Sequence, residues 1–163
     1  MRVARLGTKK AVKTWVRRLG PPDIAVLAWI ARNNGRYGAP GDRPAQQPLS
    51  EHDAKIFLSD ERTVCLVAFV GQDPVGFLYA NELYKRHGDL SHLCLYEIGV
   101  AEEYRGSGVG RQLFDALGAH AHKRGIRNGF AVTNASNRDA MELFDKVGGA
   151  RGANDDVVFA FRF

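Results

Sequence analysis

Glu97 is the only carboxylate in the run Leu93-Cys94-Leu95-Tyr96-Glu97-Ile98-Gly99-Val100. A charge among apolar residues is costly unless it is paired or used. Partial desolvation raises a carboxyl pKa toward the range a general base needs, so Glu97 is a candidate to take a proton from a nucleophile, directly or through water. The structural alternative is a buried salt bridge. Just downstream, Tyr104-Arg105-Gly106-Ser107-Gly108-Val109-Gly110-Arg111 places three glycines at alternate positions before a run with helical spacing. Such a turn points amides and a helix dipole at an anion, and the missing Cβ atoms permit close approach, which suits a phosphate. A dinucleotide fingerprint would need a glycine where Arg111 or Leu113 stands, and a Walker loop needs Gly-Lys-Ser/Thr. Neither nucleotide pattern is present.

The elements that must carry these residues are readable from punctuation and period. Val12 to Leu19 reads as a strand. Pro21-Pro22 opens a helical stretch to about Asn33. Residues 34–49 are a Gly/Pro-rich loop, and Ser50 with Asp53 caps a short helix ending near Ser59. Arg62–Val70 and Val75–Leu83 form a hairpin around Gly71-Gln72-Asp73-Pro74. The loop 84–91 leads into the Glu97 strand, whose apolar character predicts cover on both faces. By period two, Glu97 shares a face with Leu93, Leu95 and Gly99, and Gly99 is a candidate bulge. Val109, Leu113, Ala116, Leu117 and His120 then recur at helical spacing. A strand at 130–134, a helix at 137–147 stopped by Gly148-Gly149, and a final strand from about Val157 to Phe163 complete a mixed α/β order.

Composition narrows the classes. With 163 residues and 45% apolar content, one core-forming domain is expected. No run of about 18 apolar residues indicates a membrane span, and there is no signal core, so a cytoplasmic location is expected. Of the net charge of +5, residues 1–18 carry +7 and no acid, leaving 16 basic against 18 acidic residues, or −2. Residues 1–16 read as a basic leader, either solvated or a nucleic-acid-binding arm. The mildly acidic body suits a cationic substrate better than a polyanion. Cys65 and Cys94 lie in strand-like runs and read as core thiols. Trp15 and Trp29 read as core rings. His87 and His92 flank the loop before the Glu97 strand, His120 and His122 sit on a helix, and no spacing suggests a metal site.

Arg105-x-x-Gly108-x-Gly110 after a strand resembles the pyrophosphate loop of the GNAT acyl-CoA-dependent N-acyltransferases, and Asn137-x-x-Ala140-x-x-Leu143-Phe144-x-x-x-Gly148 is similar to that superfamily's last-helix motif. Read on its own, Asn137 is an ordinary N-cap. Arg18-Leu19-Gly20-Pro21, RNNGRYG, QQPLSEHDAKIFLSDERTVCLVAF, LYEIGV and DVVFAFRF resemble, colinearly, the type I aminoglycoside 3-N-acetyltransferases.

The resemblance implies a GNAT fold over residues 17–163, with a mixed central sheet of about six to seven strands flanked by about four helices. It implies acetyl-CoA as co-substrate and no metal. Ile98, Gly99, Val100, Arg105, Gly106, Ser107, Gly108, Val109, Gly110 and Asn137 would contact the coenzyme. Glu97 would act as base in direct transfer to an amine. A polycationic acceptor calls for acids, and Glu82, Asp89, Asp155 and Asp156 are the candidates. The resembled enzymes often place a thiolate-protonating tyrosine where Phe144 stands, and phenylalanine has no proton to give. The thiolate then leaves unassisted, or Tyr96 serves as donor. Other expectations are another amine acceptor (peptide, polyamine or small metabolite), or a CoA- or nucleic-acid-binding module without catalysis. Exposed strand edges make a homodimer plausible, with no membrane partner.

Overall fold

A computed structural model describes residues 12–38, 46–88, 91–152 and 161–162. Two compact units are present, Met1–Val132 and Thr133–Phe163. Asp89, Asp155 and Asp156, residues 1–11 of the basic leader and most of the predicted last strand lie outside the described residues.

The first unit is a five-stranded sheet in the order β1-β2-β3-β4-β5, formed by β1 (Trp15–Arg18), β2 (Thr63–Val70), β3 (Asp73–Tyr84), β4 (Ser91–Val100) and β5 (Gly129–Ala131). The first four strands pair antiparallel and β5 joins β4 in parallel. The helices are α1 (Ile24–Arg32), α2 (Glu51–Ser59) and α3 (Val109–Lys123). The described sheet thus has fewer strands than expected, and β1 begins inside the stretch read as leader. The hairpin turn is also tighter, because Asp73 and Pro74 belong to β3. Pro74 is accommodated where the β2–β3 register shifts, a place that tolerates a missing ladder donor. Ser50 caps α2 as expected, its Oγ accepting from the Asp53 amide at 3.1 Å.

The two sheet faces have different covers. Val64, Leu66, Ala68, Leu78 and Ala80 share a face with Leu93 and Leu95. These residues are buried, as are Val109, Leu113 and Leu117 on α3, the helix that contacts β2, β3 and β4. The opposite face carries Cys65, Val67, Phe69 and Phe77, packed with Leu19, Ile30, Tyr37 and Leu58. Each fully buried Val or Leu stabilises by about 1.5–3 kcal/mol, so both layers are needed. Trp29 packs against this second cluster. Trp15 does not enter the core as expected. It is half exposed, stacked on Phe69 at 4.5 Å, with Nε1 donating to Gly71 O at 3.0 Å.

Strand β4 departs from the expectation of cover on both faces. Tyr79 pairs with Glu97 while its neighbour Ala80 pairs with Leu95, so Tyr96 is an extra residue in β4, a bulge. Tyr96 is 71% exposed. The bulge reverses the alternation: Glu97 and Gly99 share the face of Tyr79 and Cys65, opposite to Leu93 and Leu95. The bulge is at Tyr96 and not at Gly99. Gly99 has a different reason to be glycine, since a Cβ there would lie 2.7 Å from the Phe77 ring and 2.8 Å from Tyr37 Cβ.

In the second unit, α4 (Arg138–Lys146) is capped by Asn137, whose Oδ1 accepts from the Ala140 amide at 3.2 Å. The helix stops as expected: Gly148 takes a positive φ of 86°, and the Gly149 amide donates to Phe144 O at 2.8 Å.

Glu82 sits beneath α3, 4% exposed, and accepts from Arg124 Nε at 3.0 Å and Nη2 at 3.1 Å, with His120 Nε2 at 3.0 Å. Burial pushes its carboxyl up, but the bonds from Arg124 and His120 together outweigh burial and hold it below the ordinary carboxylate range. A depressed folded pKa means stability present at neutral pH and lost as pH falls through that pKa. Glu82→Gln is therefore expected to lower Tm at pH 7 and to flatten the Tm decline below about pH 4.5, read by thermal melts across pH.

Candidate active site

Glu97 lies half-buried on the face of β4 that looks toward α1 and α2. It borders a cavity of about 100 Å³ lined by Leu27, Ile30 and Ala31 of α1, Asn34, Gln46, Phe57 of α2, and Cys65, Phe77 and Tyr79 of the sheet. Ring contacts continue from Phe57 to Tyr79 at 5.0 Å and from Tyr79 to Tyr96 at 5.4 Å, so the bulge residue extends the aromatic wall outward. Asn81 Nδ2 donates to Tyr79 Oη at 2.6 Å and fixes that wall. Inside the cavity the Cys65 thiol is pushed up to about 12, first by burial and then by the Glu97 carboxylate. A thiol so protonated is a poor nucleophile at neutral pH. The cavity can therefore offer a base without offering a covalent relay.

The far edge of β4 is open beyond the cavity. β5 pairs only with Leu93–Leu95, so among the described residues no strand covers the stretch from Tyr96 to Val100 on that side. An uncovered edge can accept an extended ligand through main-chain bonds. Ile98 and Val100 lie along this edge, Ile98 on the α3 face and Gly99 on the Glu97 face.

At the end of β4 the chain turns through the glycine loop into α3. Gly106 has φ 73° and Gly108, the N-cap of α3, φ 91°, and a Cβ at either would meet nothing within 4 Å. The loop thus faces open space in a conformation that L side chains rarely adopt. No side chain caps α3, which leaves the first-turn amides, including those of Val109 and Gly110, without a capping partner from Gly108. Ser107 is turned inward, its Oγ donating to Tyr104 O at 2.5 Å. Arg105 braces the loop: Nε donates to Val100 O at 3.3 Å, and Nη2 to Tyr37 O at 3.2 Å and Gly38 O at 2.6 Å. A pyrophosphate fits this cradle of glycines, helix N-terminus and open volume.

The structure brings Glu97, Tyr96, Ile98, Gly99, Val100 and the loop 105–110 together along one strand and its exit. It does not bring Glu82 to them, because Glu82 lies on the opposite face under α3, already held by Arg124 and His120. Glu82 is thereby corrected from a substrate ligand to a structural ion pair. Asn137 is described only as the cap of α4. Three residues that the sequence gives no individual role, though they lie in the motif RNNGRYG, belong to the setting. Arg36 binds Asp73 at 2.7 Å and Glu103 at 2.6 Å, tying the β2–β3 turn to the loop approach. Tyr37 Oη donates to Pro74 O at 2.8 Å, and Asn34 borders the cavity. All three fall in a stretch that reads as a Gly/Pro-rich loop and as part of a resembling motif, with none of the three singled out. Among the described residues no three His, Cys, Asp or Glu side chains converge as a metal site, and no helix is long and apolar enough to cross a membrane.

Known proteins are similar to this chain in sequence or in fold. A mycothiol acetyltransferase of Pseudarthrobacter chlorophenolicus is 27% identical over 139 residues, covering 76% of this chain, and the chain spans 39% of that relative's length. An aminoglycoside acetyltransferase from an uncultured soil metagenomic sample superposes with a TM-score of 0.75 at 22% identity, covering 92% of this chain and 100% of that one. A ribosomal-protein-alanine N-acetyltransferase of Brucella melitensis biovar Abortus 2308 does so with a TM-score of 0.69 at 22% identity, covering 93% and 99%. These likenesses give the mixed α/β fold, and the profile of the acetyltransferase (GNAT) family matches residues 26–149. The chain belongs to the GNAT acetyltransferase family.

Proposed function

We propose that this chain transfers the acetyl group of acetyl-CoA directly to an amine, with Glu97 as general base, and that the amine belongs to an aminoglycoside, acetylated at its 3-N position. The observation that carries the reading is the bulge, which sets Glu97 over a cavity on the same strand whose open edge and exit loop fit pantetheine and pyrophosphate. The amine nitrogen attacks the thioester carbon as its proton passes to Glu97, directly or through water. The N–C bond forms, the C–S bond breaks, and the thiolate leaves as CoA once protonated. Main-chain amides at Gly99 and Val100 are the candidates to meet the thioester oxygen, and Asn137 to meet the pantetheine arm. The inert Cys65 thiol favours direct transfer over an acetyl-cysteine relay. Phe144 supplies no proton, so we assign the thiolate's proton to Tyr96, the exposed phenol beside the base.

The aminoglycoside assignment rests on the colinear motifs, on the fold shared with an aminoglycoside acetyltransferase, and on the mildly acidic body. Asp89, Asp155 and Asp156 remain the proposed ammonium ligands. A second reading, an amine on a mainly apolar body, is favoured by the cavity itself, where apolar side chains outnumber Asn34, Gln46, Tyr79 and Glu97. Acetyl-CoA turnover with gentamicin, against a panel of peptide amines and polyamines, separates them. Turnover of the panel with none on gentamicin would reject the first.

Glu97→Gln should reduce kcat by about 10²–10⁴-fold, measured by thiol release, and wild-type turnover would rule out the base. Tyr96→Phe is expected to lower kcat about tenfold with little change in KM, and an unchanged kcat would show that the thiolate leaves unassisted. Gly108→Val forces a left-handed backbone on a branched residue and fills the cradle. Its KM for acetyl-CoA should rise about tenfold or more, in initial-rate kinetics, if charge-assisted amide contacts to the pyrophosphate are lost.

A further inference from the structure

The cavity beside Glu97 contains a polar group that the transfer chemistry has not used. Asn34 is 3% exposed, and its Nδ2 is buried without a hydrogen-bond partner among the described residues. The turn it opens is fixed from both sides. Asn33 Nδ2 donates to Trp29 O at 2.8 Å, Arg36 is gripped by Asp73 and Glu103, and Tyr37 is anchored on Pro74. Asn34 is thereby held against the cavity wall with α1 on one side and the sheet on the other. A buried amide donor left unpaired destabilises the fold, whereas an apolar residue of similar shape does not carry that cost. Such an orphan in a native core calls for a ligand or an ordered water.

The chemistry of the lining narrows what that ligand is. At Nδ2 Asn34 can only donate, and an ionised Glu97 can only accept. The nucleophilic amine must keep its lone pair for the thioester carbon, so it cannot be the acceptor for Asn34. A hydroxyl or water satisfies both groups at once, accepting from the amide and donating to the carboxylate. The cavity of about 100 Å³ has room for it, since a water needs only about 10–15 Å³.

We propose that Asn34 is a positioning residue of this site, donating from Nδ2 to an oxygen in the cavity, a water or a hydroxyl of the acceptor, which in turn donates to Glu97. The proposal rests on the reading of Glu97 as base. Its signature is a trade of stability for turnover at one side chain.

The test is Asn34→Leu, assayed with acetyl-CoA and with gentamicin and spermidine as acceptors, alongside thermal melts. The expected result is a kcat about tenfold lower, a KM for acetyl-CoA within about twofold of wild type, and a Tm equal or higher. An unchanged kcat, or a lower kcat accompanied by a lower Tm, would overturn the proposal. Asn34→Ala, read by kcat and the KM for acetyl-CoA alone because truncation at a buried site lowers Tm whatever the role of the amide, provides the kinetic comparison should the leucine variant not fold. High-resolution crystals of the full chain distinguish the sources of the oxygen. An oxygen within about 3.2 Å of Nδ2 in the free protein identifies water, and one seen only with gentamicin identifies an acceptor hydroxyl. Nδ2 bonded to a protein carbonyl, or no oxygen in either crystal, would refute it. Wild-type turnover in Glu97→Gln would remove the base while leaving that oxygen in place, so the two readings fail separately.

Discussion

One extra residue in β4 decides which layer of the molecule the acid serves. Without the bulge at Tyr96, Glu97 would continue the alternation of Leu93 and Leu95 and enter the apolar layer under α3, where Val109, Leu113 and Leu117 leave no room for an unpaired charge. With it, the same carboxylate faces α1 and α2 across a cavity, and Tyr96 is pushed out to the surface. A bulge costs ladder hydrogen bonds and re-aims a side chain, which is why bulges collect beside active sites. The strand then continues past the end of β5, where among the described residues no strand pairs with its far edge, and runs on into the glycine loop.

The bulge alone would not hold the strand exit in place. Tyr37 packs edge-on against Phe77 at 5.2 Å, in the space that any side chain at Gly99 would need. Its neighbour Arg36 bridges Asp73 and Glu103, and Arg105 reaches back to the carbonyls of Tyr37 and Gly38. The bidentate Arg36 pair is partly shielded from solvent, a setting in which planar guanidinium bonds define geometry better than exposed ion pairs do. One short turn after α1 thus contacts the glycine loop, strand β4 and the cavity. The glycine loop and the Glu97 cavity are built on a shared support.

Much of this was legible in the residue order. The glycine spacing before an apolar-periodic run located the loop and the start of α3, Ser50 located α2, and the lone acid in an apolar run singled out Glu97. What failed were inferences that depend on register. Period two placed Glu97 with Leu93 and Leu95, because a bulge leaves no local mark when the inserted residue is an ordinary tyrosine. Gly99 read as the irregular position because glycine suggests backbone freedom, whereas here it answers to the Tyr37 and Phe77 side chains. Glu82 read as a turn acid available to substrate, since nothing local shows that Arg124 and His120, about forty residues on, close over it. Asn34, Arg36 and Tyr37 were hidden in a Gly/Pro-rich stretch whose importance comes from long-range contacts.

The central claim is that the bulge turns Glu97 toward the acceptor amine while the open edge of β4 and the glycine loop hold the coenzyme. A crystal structure with a bisubstrate analogue, CoA joined through its sulfur to an amine acceptor, tests it most directly. The account predicts the pyrophosphate at the amides of residues 106–110, the pantetheine along residues 96–100, and the amine nitrogen within about 3 Å of the Glu97 carboxylate or one water away. An acceptor bound on the α3 face, or an amine nitrogen with no path to Glu97, would contradict it.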